Sequence, residues 1–144
     1  DEVFKEMNKD VNDLDYIVVT DGPGSYTGMR IGLTFTKVLA LTMPEDFKVY
    51  RVNTLLSLSG LNNGFSFIDA RAKRVFGAYV EKGQVREEKV YKMTEVPQDV
   101  ELYGDCHLLD LPDRDISICE NILSVQQSWI EVDDVDKLVP RYLR

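Results

Sequence analysis

The spacing of apolar positions along the chain predicts strands and helices in an alternating order. An apolar, β-branched run at 16–20 is typical of a buried parallel strand, and a turn rich in Gly and Pro follows it. Helical periodicity runs from residue 27 or 28 to 43, and Pro44 ends it. The other predicted elements are strands at 47–52, 65–69, 75–81, 84–91, 100–103 and 115–118 and helices at 54–61 and 120–127. This order predicts an α/β fold in which helices flank a mixed sheet.

The turn after the first strand, DGPGSYTG at 21–28, is the most distinctive segment of the chain. Backbone N–H groups at the start of the following helix could hold an anion, but Walker A, dinucleotide-binding and nucleophile-elbow patterns do not match. A tight turn that places the helix is the simpler interpretation, with Ser25 or Thr27 as N-cap. We expect Gly24 and Gly28 to occupy positions that other residues resist, and a nucleotide contact is a second role. The candidate residues are Gly22, Pro23, Gly24, Ser25, Thr27, Gly28 and Arg30.

The predicted long helix is apolar over about 200° of its circumference, whereas one core-facing stripe requires about 100°. One arc carries Ile31, Phe35, Val38 and Leu39, and a second arc lies beside it. The helix is therefore either enclosed within the domain or docked on another chain. We favour a partner, because a large exposed apolar patch usually marks an interaction surface. The second arc is predicted to form a helix–helix interface, homodimeric when the chain is alone, and its residues are Met29, Leu33, Thr36, Ala40 and Met43.

Few residues of this chain could carry out chemistry. The single histidine, His107, and the two cysteines, Cys106 and Cys119, give neither metal-ligand spacing nor a catalytic triad. Asp69 and Arg71, at the end of a predicted strand, form either a surface ion pair or a ligand-binding pair. We therefore predict that this chain contributes no catalytic residue and no metal ligand.

The charge of the chain bears on its partners. It has 17 Lys and Arg against 25 Asp and Glu, which gives a net charge of −8. Strong RNA binding requires a basic surface that releases counterions from phosphates, so we expect contact with RNA only through a partner. No apolar run reaches the ~18 residues of a membrane span, and no signal peptide or disulfide framework is visible. The sequence predicts a cytoplasmic protein that does not bind membranes.

Three segments together resemble the TsaB (YeaZ) family. They are DGPGSYTGMRIGLTFTKVLA at 21–40, FIDAR at 67–71 and LVPRYLR at 138–144, in the family's order. The first is highly specific, and the other two support it. The resemblance implies an actin-like, RNase H-like fold of the ASKHA class, with a mixed sheet flanked by helices.

The same resemblance implies a function. A family member would be a non-catalytic scaffold or activator in installing threonylcarbamoyl on the adenosine next to the tRNA anticodon. Its partners would be the catalytic paralogue TsaD and the ATPase TsaE, with tRNA contacted only indirectly. No cofactor would be bound by this chain alone, although ATP or ADP could be shared at a partner interface. The alternatives are a stand-alone, glycoprotease-like hydrolase and a nucleotide-binding, sugar-kinase-like fragment.

The chain departs from the family pattern in two places. The family's opening strand hairpin has no match here, and the stretch 98–139 is short and matches poorly. We therefore expect an N-terminal actin-like lobe at 1–97, without its usual start and running into the lobe crossover. A reduced C-terminal lobe is expected at 98–144, and the two parts are treated as one globular unit.

Overall fold

Two small β-sheets joined by a short helix make up the fold in the computed structural model, which describes residues 2–143. The helices are α1 (Glu2–Glu6), α2 (Tyr26–Thr42), α3 (Thr54–Ser59) and α4 (Ile118–Ser124). The strands are β1 (Tyr16–Thr20), β2 (Lys48–Val52), β3 (Gly64–Asp69), β4 (Arg74–Glu81), β5 (Gln84–Lys92), β6 (Leu102–Gly104) and β7 (Ile130–Glu131). The predicted α/β class with a mixed sheet is confirmed. No helix within 2–143 combines the length and apolarity needed to cross a bilayer.

The first sheet has the strand order β1-β2-β7. β1 and β2 are parallel, with Tyr16 opposite Lys48 and Thr20 opposite Val52, as the sequence predicts. β7 returns from near the end of the chain and runs antiparallel to β2. A core cluster of Leu33, Val49 and Leu138 fills the space between this sheet and α2.

The second sheet has the order β5-β4-β3-β6, and only the β3–β6 pair is parallel. Phe65, Phe67 and Val75 are completely buried on one of its faces. The predicted hairpin turn at Lys82 and Gly83 joins β4 to β5, and both residues have positive φ, as a tight two-residue turn requires. Helix α3 connects the two sheets and packs on the second one.

The prediction fails at 115–118, where we expected a strand. Residues 115–117 pair with no described strand, and α4 begins at Ile118. The Ser117 hydroxyl accepts a hydrogen bond from the Glu120 N–H, which makes Ser117 the N-cap of this helix. An apolar run of two isoleucines is too short to distinguish a strand from the first turn of a capped helix.

Candidate functional site

The glycine-rich loop is a close-packed turn between β1 and α2. Gly22 has φ of +124°, and a Cβ there would lie 2.6 Å from the Arg141 carbonyl oxygen and 2.9 Å from Met29 Sδ. Gly22 therefore resists substitution. Gly24 has ordinary contacts and no positive φ, and Gly28 has only the Ser25 hydroxyl nearby, so the expectation that those two glycines are the constrained ones is wrong.

The other loop residues begin helix α2. Ser25 is the N-cap, because its Oγ accepts a hydrogen bond of 3.0 Å from the Gly28 N–H. Thr27 lies exposed within the first turn, and Pro23 is buried beneath it. Arg30 donates a 2.6 Å hydrogen bond to the hydroxyl of Tyr26 and lies over its ring. The Arg30 side chain therefore contacts α2 itself rather than the loop backbone.

The face of α2 that we predicted as a partner interface faces the core instead. Leu33 is 3 % exposed, and it packs with Val49 of β2 and with Leu138. Thr36 is equally buried because its hydroxyl donates to the Gly32 carbonyl, which satisfies its polar group within the helix. The residues of this corrected set are Met29, Leu33, Thr36 and Met43, all buried, and Ala40, partly buried.

The opposite side of α2 is apolar and exposed. Ile31, Phe35 and Val38 are 65 %, 62 % and 56 % exposed, and at 100° per residue they lie within an arc of about 60°. We call these three residues the outer face of α2. Gly32 lies beside them, and nothing comes within 4 Å of where its Cβ would be, so the helix backbone is open to close approach there. Such a patch is typical of a surface that binds another protein.

A network of four charged side chains links the two sheets next to the loop, and sequence reasoning missed it. The Asp21 carboxylate is 3 % exposed and accepts hydrogen bonds from Arg51 (2.9 Å) and Arg141 (3.3 Å). Arg141 also donates to Glu88 of β5 (2.9 Å) and to the Gly22 carbonyl (3.0 Å). The hydrogen bond to Glu88 raises the pKa of Arg141. The network is neutral as a whole, with two cations for two anions.

This network forms the wall of a cleft between the sheets. The cleft has a volume of about 440 Å³, and Trp129, Leu56 and Val85 supply its apolar lining. The Asp21–Arg51 pair could have been suspected from sequence, because both residues lie at the carboxyl end of predicted parallel neighbours. Glu88 and Arg141 are remote in sequence, and no pattern connects them to the loop.

Comparisons with known proteins identify the family. The family model described as "TsaD: tRNA N6-adenosine threonylcarbamoyltransferase" matches residues 1–100. The tRNA threonylcarbamoyladenosine biosynthesis protein TsaB of Bacillus subtilis is 34% identical over 125 residues. The chain belongs to the TsaB (YeaZ) family. The aligned part is 83% of this chain and 52% of the Bacillus protein, so the chain spans about half the length of that relative.

Two solved structures agree with this TsaB assignment. YeaZ from Pseudomonas aeruginosa superposes with a TM-score of 0.69 at 22% identity, covering 99% of this chain and 79% of that one. A second structure is described as an uncharacterized protein with similarity to peptidase YEAZ from Pseudomonas aeruginosa. Its TM-score is 0.70, also at 22% identity, and the match covers 99% of this chain and 80% of that one. The fold is therefore the actin-like, RNase H-like fold of YeaZ.

The segment FIDAR of this TsaB-family chain ends β3 in a tight surface turn. The Arg71 N–H donates to Asp69 Oδ1 at 2.8 Å, and the Arg71 guanidinium lies 3.7 Å from Asp69 Oδ2. The Arg71 side chain is almost fully exposed, while the Asp69 N–H donates to the Asp105 carboxylate. The pair thus has the geometry of a surface ion pair, one of the two alternatives that the sequence leaves open.

The lone histidine lies on the surface of the second sheet. His107 Nδ1 is 2.8 Å from Asp113 Oδ2, and this hydrogen bond raises the pKa of His107. Burial raises the pKa of the neighbouring Cys106 thiol, which faces the core. Across residues 2–143 no group of three or more His, Cys, Asp or Glu side chains is placed to hold a metal ion.

Proposed function

We propose that this chain is a non-catalytic subunit of the machinery that makes threonylcarbamoyladenosine in tRNA. It would bind a catalytic TsaD-type protein through the outer face of α2. Membership of the TsaB family supports the pathway, and the name of the Bacillus relative refers to the same modification. The observation that carries the proposal is the apolar outer face, which no residue within 2–143 covers.

The outer face suits a helix of another protein. Three large side chains form one stripe, and Gly32 next to them lets a second backbone approach. Burial of apolar area at ~25 cal/mol per Å² would drive this association. We infer that the same face pairs with a second copy when no TsaD-type partner is present. The ATPase TsaE would then join the complex of the two subunits.

A supporting rather than catalytic role fits the chemistry of the described side chains. The Ser25 hydroxyl caps α2 and has no histidine beside it, and His107 is paired with Asp113. In this proposal ATP or ADP binds where the partner meets the chain. The net charge of −8 agrees with tRNA being held by a partner, in the cytoplasm where the modification takes place.

The test is a binding measurement with the TsaD-type protein of the same organism. Phe35→Glu places an unpaired carboxylate in the interface, which should cost about 3 kcal/mol and weaken binding about 100-fold. Leu123→Glu is the matched control, because Leu123 is an apolar residue of α4 with comparable exposure. Equal binding by wild type and Phe35→Glu would contradict the proposed surface.

The hydrolase alternative is tested separately. Ser25→Ala and His107→Ala should leave ester and peptide hydrolysis at the background rate of the wild type. A robust hydrolytic activity that either substitution abolishes would reject the non-catalytic role. Because this assay needs no partner, its outcome is independent of the binding measurement.

A further inference from the structure

The outer edge of β1 has free backbone groups. In the parallel pair with β2, the Asp15 carbonyl accepts from the Lys48 N–H, and the Asp21 N–H donates to the Val52 carbonyl. This register directs the backbone groups of Ile17 and Val19 toward β2 and those of Tyr16, Val18 and Thr20 away from it. No strand within 2–143 pairs with that outward side.

The chain protects its other long edge but not this one. The edge strand β5 carries four consecutive charged residues at 86–89, and charged edges resist pairing with other chains. The strand β1 has the sequence YIVVT, without a charge, a proline or a glycine. Its backbone is therefore a template to which another uncharged strand could add.

We propose that β1 pairs antiparallel with β1 of a second copy of this chain. The sequence is self-complementary about Val18. A two-fold axis there sets Val18 opposite Val18 of the partner subunit, Tyr16 opposite the partner's Thr20, and Ile17 opposite the partner's Val19. The outward groups then exchange about six backbone hydrogen bonds. The two three-stranded sheets become one continuous sheet.

The charges at the ends of the strand permit this arrangement. The same register sets Asp15 opposite Asp21 of the second copy, and Asp21 is already neutralised by Arg51 and Arg141. No pair of uncompensated like charges is brought together. A second copy is therefore favoured over a charged peptide, which would find nothing on β1 to match its charges.

This edge is separate from the outer face of α2, which points away from the sheet. A copy that uses both surfaces has two independent two-fold contacts, so the chain alone should form assemblies larger than a dimer as its concentration rises. Blocking one surface should leave dimers joined by the other. The two contacts can thus be tested one at a time in the same molecule.

Sedimentation of the full chain of 144 residues is the experiment. Val18→Pro removes a donor that faces outward and leaves the β1–β2 ladder intact, as an edge strand tolerates. Wild type should exceed a dimer, while Val18→Pro and Phe35→Glu should each stop at dimers and the double variant should be monomeric. Leu123→Glu should sediment as wild type does.

The outcomes separate this inference from the proposed function. If Phe35→Glu changes nothing but Val18→Pro gives monomers, the edge pairing holds and the outer face of α2 does not self-associate. If folded Val18→Pro sediments as wild type, the edge pairing is wrong. Thr20→Pro, which also removes an outward donor, repeats the test should Val18→Pro fail to fold.

Amide hydrogen exchange of the wild type gives an answer without any substitution. Raising the protein concentration should slow exchange at Tyr16, Val18 and Thr20, whose N–H groups face outward. The amides of Ile17 and Val19 are bonded to β2 at every concentration and should not change. Exchange at all five amides that is independent of concentration would overturn the proposal.

Discussion

Truncation of Leu33 to Ala measures how much the contact between α2 and the first sheet stabilises the fold. Leu33 lies in the middle of α2, 3 % exposed, against Val49 and Leu138. The substitution removes apolar contacts and leaves a cavity, a change that costs ~2–5 kcal/mol in protein cores. Taking about 3 kcal/mol at ~2–4 °C per kcal/mol, the melting temperature should fall by roughly 6–12 °C. Thermal unfolding followed by circular dichroism in dilute solution is the assay.

Phe35→Ala is the control, since Phe35 lies on the same helix but points to solvent. Its free energy of unfolding should stay within about 0.5 kcal/mol of the wild type at concentrations where the chain does not self-associate. A silent Leu33→Ala together with a large loss for Phe35→Ala would mean that the faces of α2 are reversed, and it would refute the reasoning behind the proposed partner surface.

Three further predictions concern the loop and the polar contacts. Arg141→Ala should lower the free energy of unfolding by about 3 kcal/mol in urea titrations, because it leaves two largely buried carboxylates with fewer partners; an unchanged midpoint would contradict this. Gly22→Ala should destabilise the fold far more than Gly24→Ala in thermal melts, because only Gly22 combines positive φ with a 2.6 Å approach. The pairing with Asp113 raises the pKa of His107, so its contribution is complete below the ordinary histidine pKa near 6.5 and is lost as pH rises through the raised value. The melting-temperature difference between wild type and His107→Gln should therefore shrink at high pH, and a difference that grows there would be inconsistent with the pair.

The sequence predicts the regular elements well wherever the local pattern decides them. The β-branched run of β1, the Asn53 cap of α3 and the hairpin turn at Lys82 all appear in the structure where they were expected. The orientation of α2 could not be predicted in the same way. Both halves of its circumference are apolar, and periodicity cannot tell which of two similar arcs meets the core. Thr36 was misleading, because a buried threonine can satisfy its hydroxyl within its own helix.

The charged network shows why the rest of the site was out of reach. Asp21, Arg51, Glu88 and Arg141 come from four distant parts of the chain and meet only after the two sheets are in place. No spacing rule relates such residues, since their proximity is a product of topology rather than of local pattern. Asp69 and Arg71 are the opposite case, because two residues in one turn must lie close together in any fold.

The return of β7 to the first sheet has a consequence for how the protein is made. The ribosome synthesises β1, α2 and β2 early, but their neighbours β7, Leu138 and Arg141 come roughly eighty residues later. At about 5–20 residues per second this delay lasts ~4–16 s, during which the strand pair is incomplete. The nascent chain must therefore pass through an interval in which Asp21 lacks one of its two arginines and apolar surface of α2 is uncovered. Folding of the first sheet is completed only when nearly all of the described chain has been translated, whereas the second sheet can form before then.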